Sequence, residues 1–393
     1  MIDLPLTARE QQLCNALRAL YLPVATGPGE ALRRVAESND TALFAAALAN
    51  DVAAPVAHAM ANVLGGLSSV PLHWRVAHEA VFTQITDYLV ELDLVAERLA
   101  DAGIPLVALK NGGIARGIYP CPGCCPMGDL DVLVQRRHFR QAHDILLDCG
   151  YRFEFRSELE EADLDAAEHG GGAEYHKQLP NGIMLWLELQ WRAVAGRWIR
   201  PDQEPSADEL MARSIAIPGT AVRMLAPEDN LLQVALHTAK HSYVRAPGFR
   251  LHLDVERIVR GYPDLDWDRF VAQAMDLQVK TPVYFSLAIA HQVLNTPIPQ
   301  EVLAQLRPAA WKEQVLVQQI GRAGLFNPDE SKFTRVGYIL FTSLLYDDAT
   351  GLARGVFPDP AWMRNHYEVQ RDALLPYFYG RRLADLVLRR ART

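Results

Sequence analysis

Two aspartates, Asp129 and Asp131, stand two residues apart at the head of the apolar, β-branched run Leu130-Asp131-Val132-Leu133-Val134. In an extended strand, residues i and i+2 point to the same face. Both carboxylates are therefore expected to project together from the solvent-facing end of a strand. No basic residue separates them, and two like charges this close repel. A shared divalent cation relieves that repulsion. Hard Mg²⁺ prefers oxygen ligands and is usually held by one or two carboxylates plus substrate phosphates. Upstream, Lys110-Asn111-Gly112-Gly113 offers a turn at which a phosphate can approach bare backbone N–H groups. The alternative is an acidic loop end that opens a strand without any metal.

A third acid, Glu188, falls in Met184-Leu185-Trp186-Leu187-Glu188-Leu189-Gln190. Alternation places Met184, Trp186, Glu188 and Gln190 on one face and the three leucines on the other. With the leucines on the core, Glu188 lies where it can meet the two aspartates. A basic trio, His237, Lys240 and His241, follows the helix-start signature Pro227-Glu228-Asp229. At i, i+3 and i+4 the three share one helix face. That face suits an anion such as a triphosphate, hydrogen bonding between helices, or a metal, although Lys240 disfavours a cation.

These residues need elements to position them. Residues 1 to about 100 read as helical: Thr7 to Glu10 forms a capping box opening a helix through Leu20, Asp40 caps the alanine-rich segment after it, and Val81 to Ala102 carries one apolar face stopped by Gly103. Strands are expected at 104–109 and 130–134, with a helix over 137–149 leaving His138, His143 and Asp144 exposed. Tyr151 to Arg156 reads as a third strand, and acidic 158–172 as a flexible loop. A hairpin turns at Pro180-Asn181-Gly182. From Pro227 onward the pattern is helical. The expected fold is α+β: a small mixed sheet (101–222) flanked by an N-terminal helical region (1–100) and a C-terminal helical domain (223–393).

The net charge of −8 argues against a broad nucleic-acid surface. Arg381, Arg382, Arg389, Arg390 and Arg392 read as a solvated helix face. No secretory signal and no apolar run long enough to span a membrane is found, so the cytoplasm is expected. Among the five cysteines, Cys121-Pro122-Gly123-Cys124-Cys125 contains a C-x-x-C unit of the kind that binds zinc or cycles as a redox pair. Without a second such unit or a nearby histidine, Cys121, Cys124 and Cys125 are expected to be metal-free, reduced thiols.

The order Lys110…Gly112-Gly113…Gly128-Asp129-Leu130-Asp131…Glu188 resembles the polymerase-β-like nucleotidyltransferase superfamily. Asp254, Leu265-Asp266-Trp267-Asp268 and the phrases around the acids are similar to the uncharacterised nucleotidyltransferases found in bacterial peptide natural-product gene clusters of the lasso-peptide type. The resemblance implies transfer of an NMP from an NTP, with release of pyrophosphate, to an acceptor hydroxyl or phosphate on a small molecule or peptide. It implies Asp129, Asp131 and Glu188 as catalytic and metal-binding residues, with Mg²⁺ (Mn²⁺ as a substitute) as cofactor. Lys110, Gly112, Gly113, His237, Lys240 and His241 would bind the nucleotide. Three positions depart from the pattern: Gly113 stands where serine is frequent, Cys125 where arginine is common, and Gln190 where histidine is common. Kinase-like phosphoryl transfer and a non-catalytic nucleotide- or peptide-binding subunit remain the alternatives.

Overall fold

The computed structural model describes residues 2–21, 27–38, 40–156, 162–194, 199–328, 330–367, 369 and 371–388. Among the described residues, seven strands form one mixed sheet: β1 (Leu106–Leu109), β2 (Leu130–Leu133), β3 (Arg152–Phe153), β4 (Gly172–Gln178), β5 (Met184–Gln190), β6 (Ile215–Ala216) and β7 (Val222–Met224). Their order is β3-β4-β5-β2-β1-β7-β6. β2 runs parallel to β5 and β1 parallel to β7, and the other pairs are antiparallel. Helices flank the sheet, so the architecture is α+β as expected.

Alternation decides which face does chemistry. Leu185, Leu187 and Leu189 are fully buried and join Leu106, Ala108, Leu130 and Val132 in the main core. Burying each such leucine contributes about 1.5–3 kcal/mol. A one-residue slip of β5 would exchange the leucine and glutamate faces, so hydrophobic burial pins Glu188 to the opposite side. That side carries Val107, Leu109 and Leu133 in a smaller cluster with Leu210 and Met211 of the helix Ala207–Arg213. Asp229 on the helix Pro227–Lys240 accepts from Arg213 Nε at 2.7 Å and ties the two helices together.

The local signals at the N-terminus hold. Thr7 and Glu10 form the capping box of the helix Ala8–Arg18, and Asp40 caps the helix Thr41–Ala49. The 30-residue helix Leu72–Asp101 starts well before Val81. Several expectations are corrected. The third strand shortens to Arg152–Phe153. Residues 158–161 of the expected loop lie outside the described residues, and Leu164–Gly170 is a helix capped by Asp163 and ended by Gly171 at φ 108°. His143 is buried, its Nδ1 2.8 Å from the Tyr175 hydroxyl. Arg382 donates to the Gly355 and Val356 carbonyls and lies over Trp362 instead of facing solvent. Arg389, Arg390 and Arg392 fall outside the described residues. No described helix is long and apolar enough to cross a membrane.

Burial makes one helix acid-sensitive. His252, in the helix Arg250–Gly261, is fully buried, its Nε2 2.9 Å from the Tyr243 carbonyl. Desolvation lowers its pKa to about 4, so the folded state holds it neutral while the unfolded chain protonates near 6.5. Its contribution is fully present above about pH 6.5 and is lost as pH falls towards 4. Between pH 7 and 5 this linkage removes about 2 kcal/mol of stability. Urea unfolding at both pH values should show a loss in the wild type that is smaller by about 2 kcal/mol in His252→Gln.

Candidate active site

The parallel β2/β5 ladder places Asp131 directly beside Glu188. Gln190, two residues on and on the same face, donates from Nε2 to Asp131 Oδ1 at 2.9 Å and to Glu188 Oε2 at 2.5 Å. The two carboxyls therefore converge on one amide. This also accounts for glutamine at position 190, since its NH₂ satisfies both acids.

β1 ends at Leu109, paired with Asp131, and the chain breaks at once into the short helix Lys110–Ile114. The elbow forces Lys110 to φ +48°, an uncommon conformation for a residue with a Cβ. It turns the ammonium onto Asp131, Nζ to Oδ1 at 2.6 Å. A Cβ at Gly113 would lie 2.7 Å from the Ala108 carbonyl oxygen. Backbone packing thus excludes serine at that position. The first-turn N–H groups of this helix have no intrahelical acceptor.

Asp129 sits just before β2. Arg156 donates to it from Nη2 at 2.5 Å and lies over the Trp186 ring at 5.1 Å. The repulsion that the spacing of the aspartates implies is therefore relieved by two cations, Lys110 and Arg156, brought from elsewhere in the chain. Sequence reasoning missed Arg156. Its one signal was Trp186, a large ring on the acid face of β5.

The electrostatics divide the acid pair. Asp131 is pushed well above the usual carboxylate range by burial, with Glu188 and Asp129 adding to the push against Lys110. Burial also works against the Glu188 charge, but Lys110, the hydrogen bond to Asp131, Lys240 and Arg156 outweigh it and hold Glu188 at about 2. Burial and like charge together oppose ionisation of both acids at once. The donor set is nonetheless hard oxygen on one face at a strand end, with two of the three acids converging, and it fits Mg²⁺ or Mn²⁺.

The basic trio faces this sheet. Lys240 Nζ donates to the Val194 carbonyl at 3.4 Å and senses Glu188 and Asp131. Burial, then Lys110, lowers its pKa. The His237 and His241 rings meet edge to face at 4.7 Å. Burial first, then neighbouring cations, holds His237 well below its ordinary value and His241 at about 3. At neutral pH both imidazoles are neutral, so the trio is not three cations.

Other motif residues are structural. Asp266 caps the helix Trp267–Asp276. Asp254 is buried, accepts from the Tyr119 hydroxyl, and is raised to about 6 by burial against Arg250. Arg250 and Asn111 both donate to the Pro126 carbonyl and anchor the segment that leads to Asp129.

A model of the family described as uncharacterised nucleotidyltransferase matches residues 36–295. The chain belongs to this family. No curated protein and no solved structure matches it. Membership supports a transferase with a nucleotide substrate. The matched span contains all three acids, the Lys110 elbow, Arg156, Gln190 and the basic helix.

One expectation about the same span is corrected. His58 and His78 lie beside Cys121 and Cys124. They come from the helices Ala53–Leu64 and Leu72–Asp101, too far away in sequence for spacing to show them.

Proposed function

We propose that this nucleotidyltransferase moves an NMP from an NTP to a hydroxyl or phosphate on a small molecule or peptide. The observation that carries the reading is the in-register Asp131/Glu188 pair, with Asp129 beside it and Lys110 and Lys240 facing it. Asp129, Asp131 and Glu188 would hold Mg²⁺ or Mn²⁺, which supplies charge stabilisation on phosphate oxygens. Lys110, the Gly112 and Gly113 amides, His237, Lys240 and His241 would bind the triphosphate. Arg156 would add a further cation. The acceptor oxygen forms a bond to the α-phosphorus, the α–β phosphoanhydride P–O bond breaks, and pyrophosphate leaves. The acceptor proton passes to solvent as the new bond forms. A place in peptide natural-product biosynthesis is part of this proposal.

Water can serve as a slow acceptor, so the reaction class can be tested before the acceptor is known. Each NTP incubated with the protein and Mg²⁺ should yield NMP and pyrophosphate, quantified by ion-exchange chromatography. NDP and phosphate would instead favour γ-phosphoryl transfer. Nucleotide binding with no turnover, even with supplied hydroxyl acceptors, would favour a binding subunit.

A further inference from the structure

We propose that His58, His78, Cys121 and Cys124 bind one zinc ion, forming a structural site separate from the acids. One donor atom from each of the four lies within 4.8 Å of every other. Cys121 Sγ is 3.4 Å from His58 Nδ1, 3.4 Å from His78 Nε2 and 3.2 Å from Cys124 Sγ. Around a tetrahedral zinc with bonds of about 2.3 Å to sulfur and about 2.0–2.1 Å to nitrogen, ligand atoms stand about 3.3–3.8 Å apart. The cluster needs only small adjustments to reach that geometry.

The chain is built to present these ligands. Pro122 opens a single 3₁₀ turn, Pro122–Cys124, closed by hydrogen bonds from the Cys124 and Cys125 amides to the Cys121 and Pro122 carbonyls at 3.0 Å. This is the two-residue spacing that C-x-x-C zinc ligands use. A Cβ at Gly123 would lie 2.6 Å from His78 Nε2, so glycine lets the turn rest on the imidazole. The His58 and His78 rings stack at 5.8 Å.

The donor set selects the metal. Two sulfurs and two imidazoles favour zinc, and without a carboxylate the site has no preference for Mg²⁺. Both thiols are free, and an Sγ–Sγ distance of 3.2 Å is not a disulfide bond. A zinc here would join two N-terminal helices to the loop at 121–124. From there the chain runs through Pro126 and Met127, whose carbonyls are already hydrogen-bonded, straight into Asp129. The clip would fix the approach of the first site aspartate.

The test is metal analysis of the full chain, purified without chelator or histidine tag. About one zinc per chain is expected, retained in Asp129→Asn/Asp131→Asn and in His58→Cys, and lost in Cys121→Ser/Cys124→Ser. Cobalt(II) exchanged into the wild type should show thiolate charge transfer and the intense visible bands of a tetrahedral ion. This readout does not depend on a variant that folds. The proposal is overturned if the reduced wild type neither carries zinc nor takes it up against a chromogenic chelator. It is equally overturned if zinc persists in the double serine variant, if cobalt shows no thiolate band, or if intact mass finds Cys121 and Cys124 joined by a disulfide in the isolated protein.

Discussion

Asp129→Asn is expected to leave the fold intact and to remove Mg²⁺-dependent NTP turnover. Asp129 and its partner Arg156 retain 26% and 39% side-chain exposure, and ion pairs this exposed contribute about 0–1 kcal/mol. Losing a metal-binding carboxylate, in contrast, forfeits part of the several kcal/mol that a divalent ion supplies in the transition state. A loss on the order of 1,000-fold follows at about 1.36 kcal/mol per decade. Asp131→Asn should show the same loss together with a stability defect. Its carboxyl is 3% exposed and pairs with a Lys110 side chain that is 15% exposed. The amide puts an NH₂ donor in place of one acceptor oxygen beside the Lys110 and Gln190 donors, and a buried polar group left unpaired costs about 1–3 kcal/mol. Adding Lys110→Met to Asp131→Asn should recover much of that stability and none of the activity. Melting curves and product chromatography on the three variants check this. Wild-type turnover in Asp129→Asn would refute the metal assignment.

Lys240→Met separates a phosphate contact from a packing role. Methionine keeps the aliphatic stem, so packing changes little. The charge itself is disfavoured in the free protein, first by burial and then by Lys110. The melting temperature without ligand should stay the same or rise slightly. Binding of NTP with Mg²⁺ should weaken, because a lost charge-assisted hydrogen bond costs about 1.5–3 kcal/mol. That is roughly 10- to 150-fold at about 1.4 kcal/mol per decade, measured by calorimetry. A protein that melts several degrees lower yet binds NTP normally would make Lys240 a structural residue.

Much of this site was legible as local pattern. The i, i+2 spacing of Asp129 and Asp131 and the leucine alternation of β5 were enough to put Glu188 on the face opposite the core, because strand alternation needs no knowledge of neighbouring strands. The Thr7 and Asp40 caps, the Pro180-Asn181-Gly182 turn and the start of the basic helix at Pro227 were readable for the same reason: each is a bond or steric preference within a few residues. Where local reading failed, several structures fitted the same residues. Residues 164–170 satisfy a helix once Asp163 caps it and Ala167 packs on the core. Gly112 and Gly113, expected in a turn, lie inside a helical one.

What only the tertiary structure decided is which distant residues meet. The order β5-β2-β1 brings Glu188 beside Asp131 and, across β1, the Lys110 elbow onto the same carboxyl. That contact replaces the bare repulsion that spacing alone implies. Docking of the helix Pro227–Lys240 leaves His237 and His241 half-buried beside Lys240 and keeps both imidazoles neutral, a state set by desolvation and neighbouring charge and not by residue type. Packing of the helices Ala53–Leu64 and Leu72–Asp101 against the cysteine turn likewise joins ligands separated by 43 and 63 positions. Such pairings depend on the path of the whole chain, and no local periodicity records it.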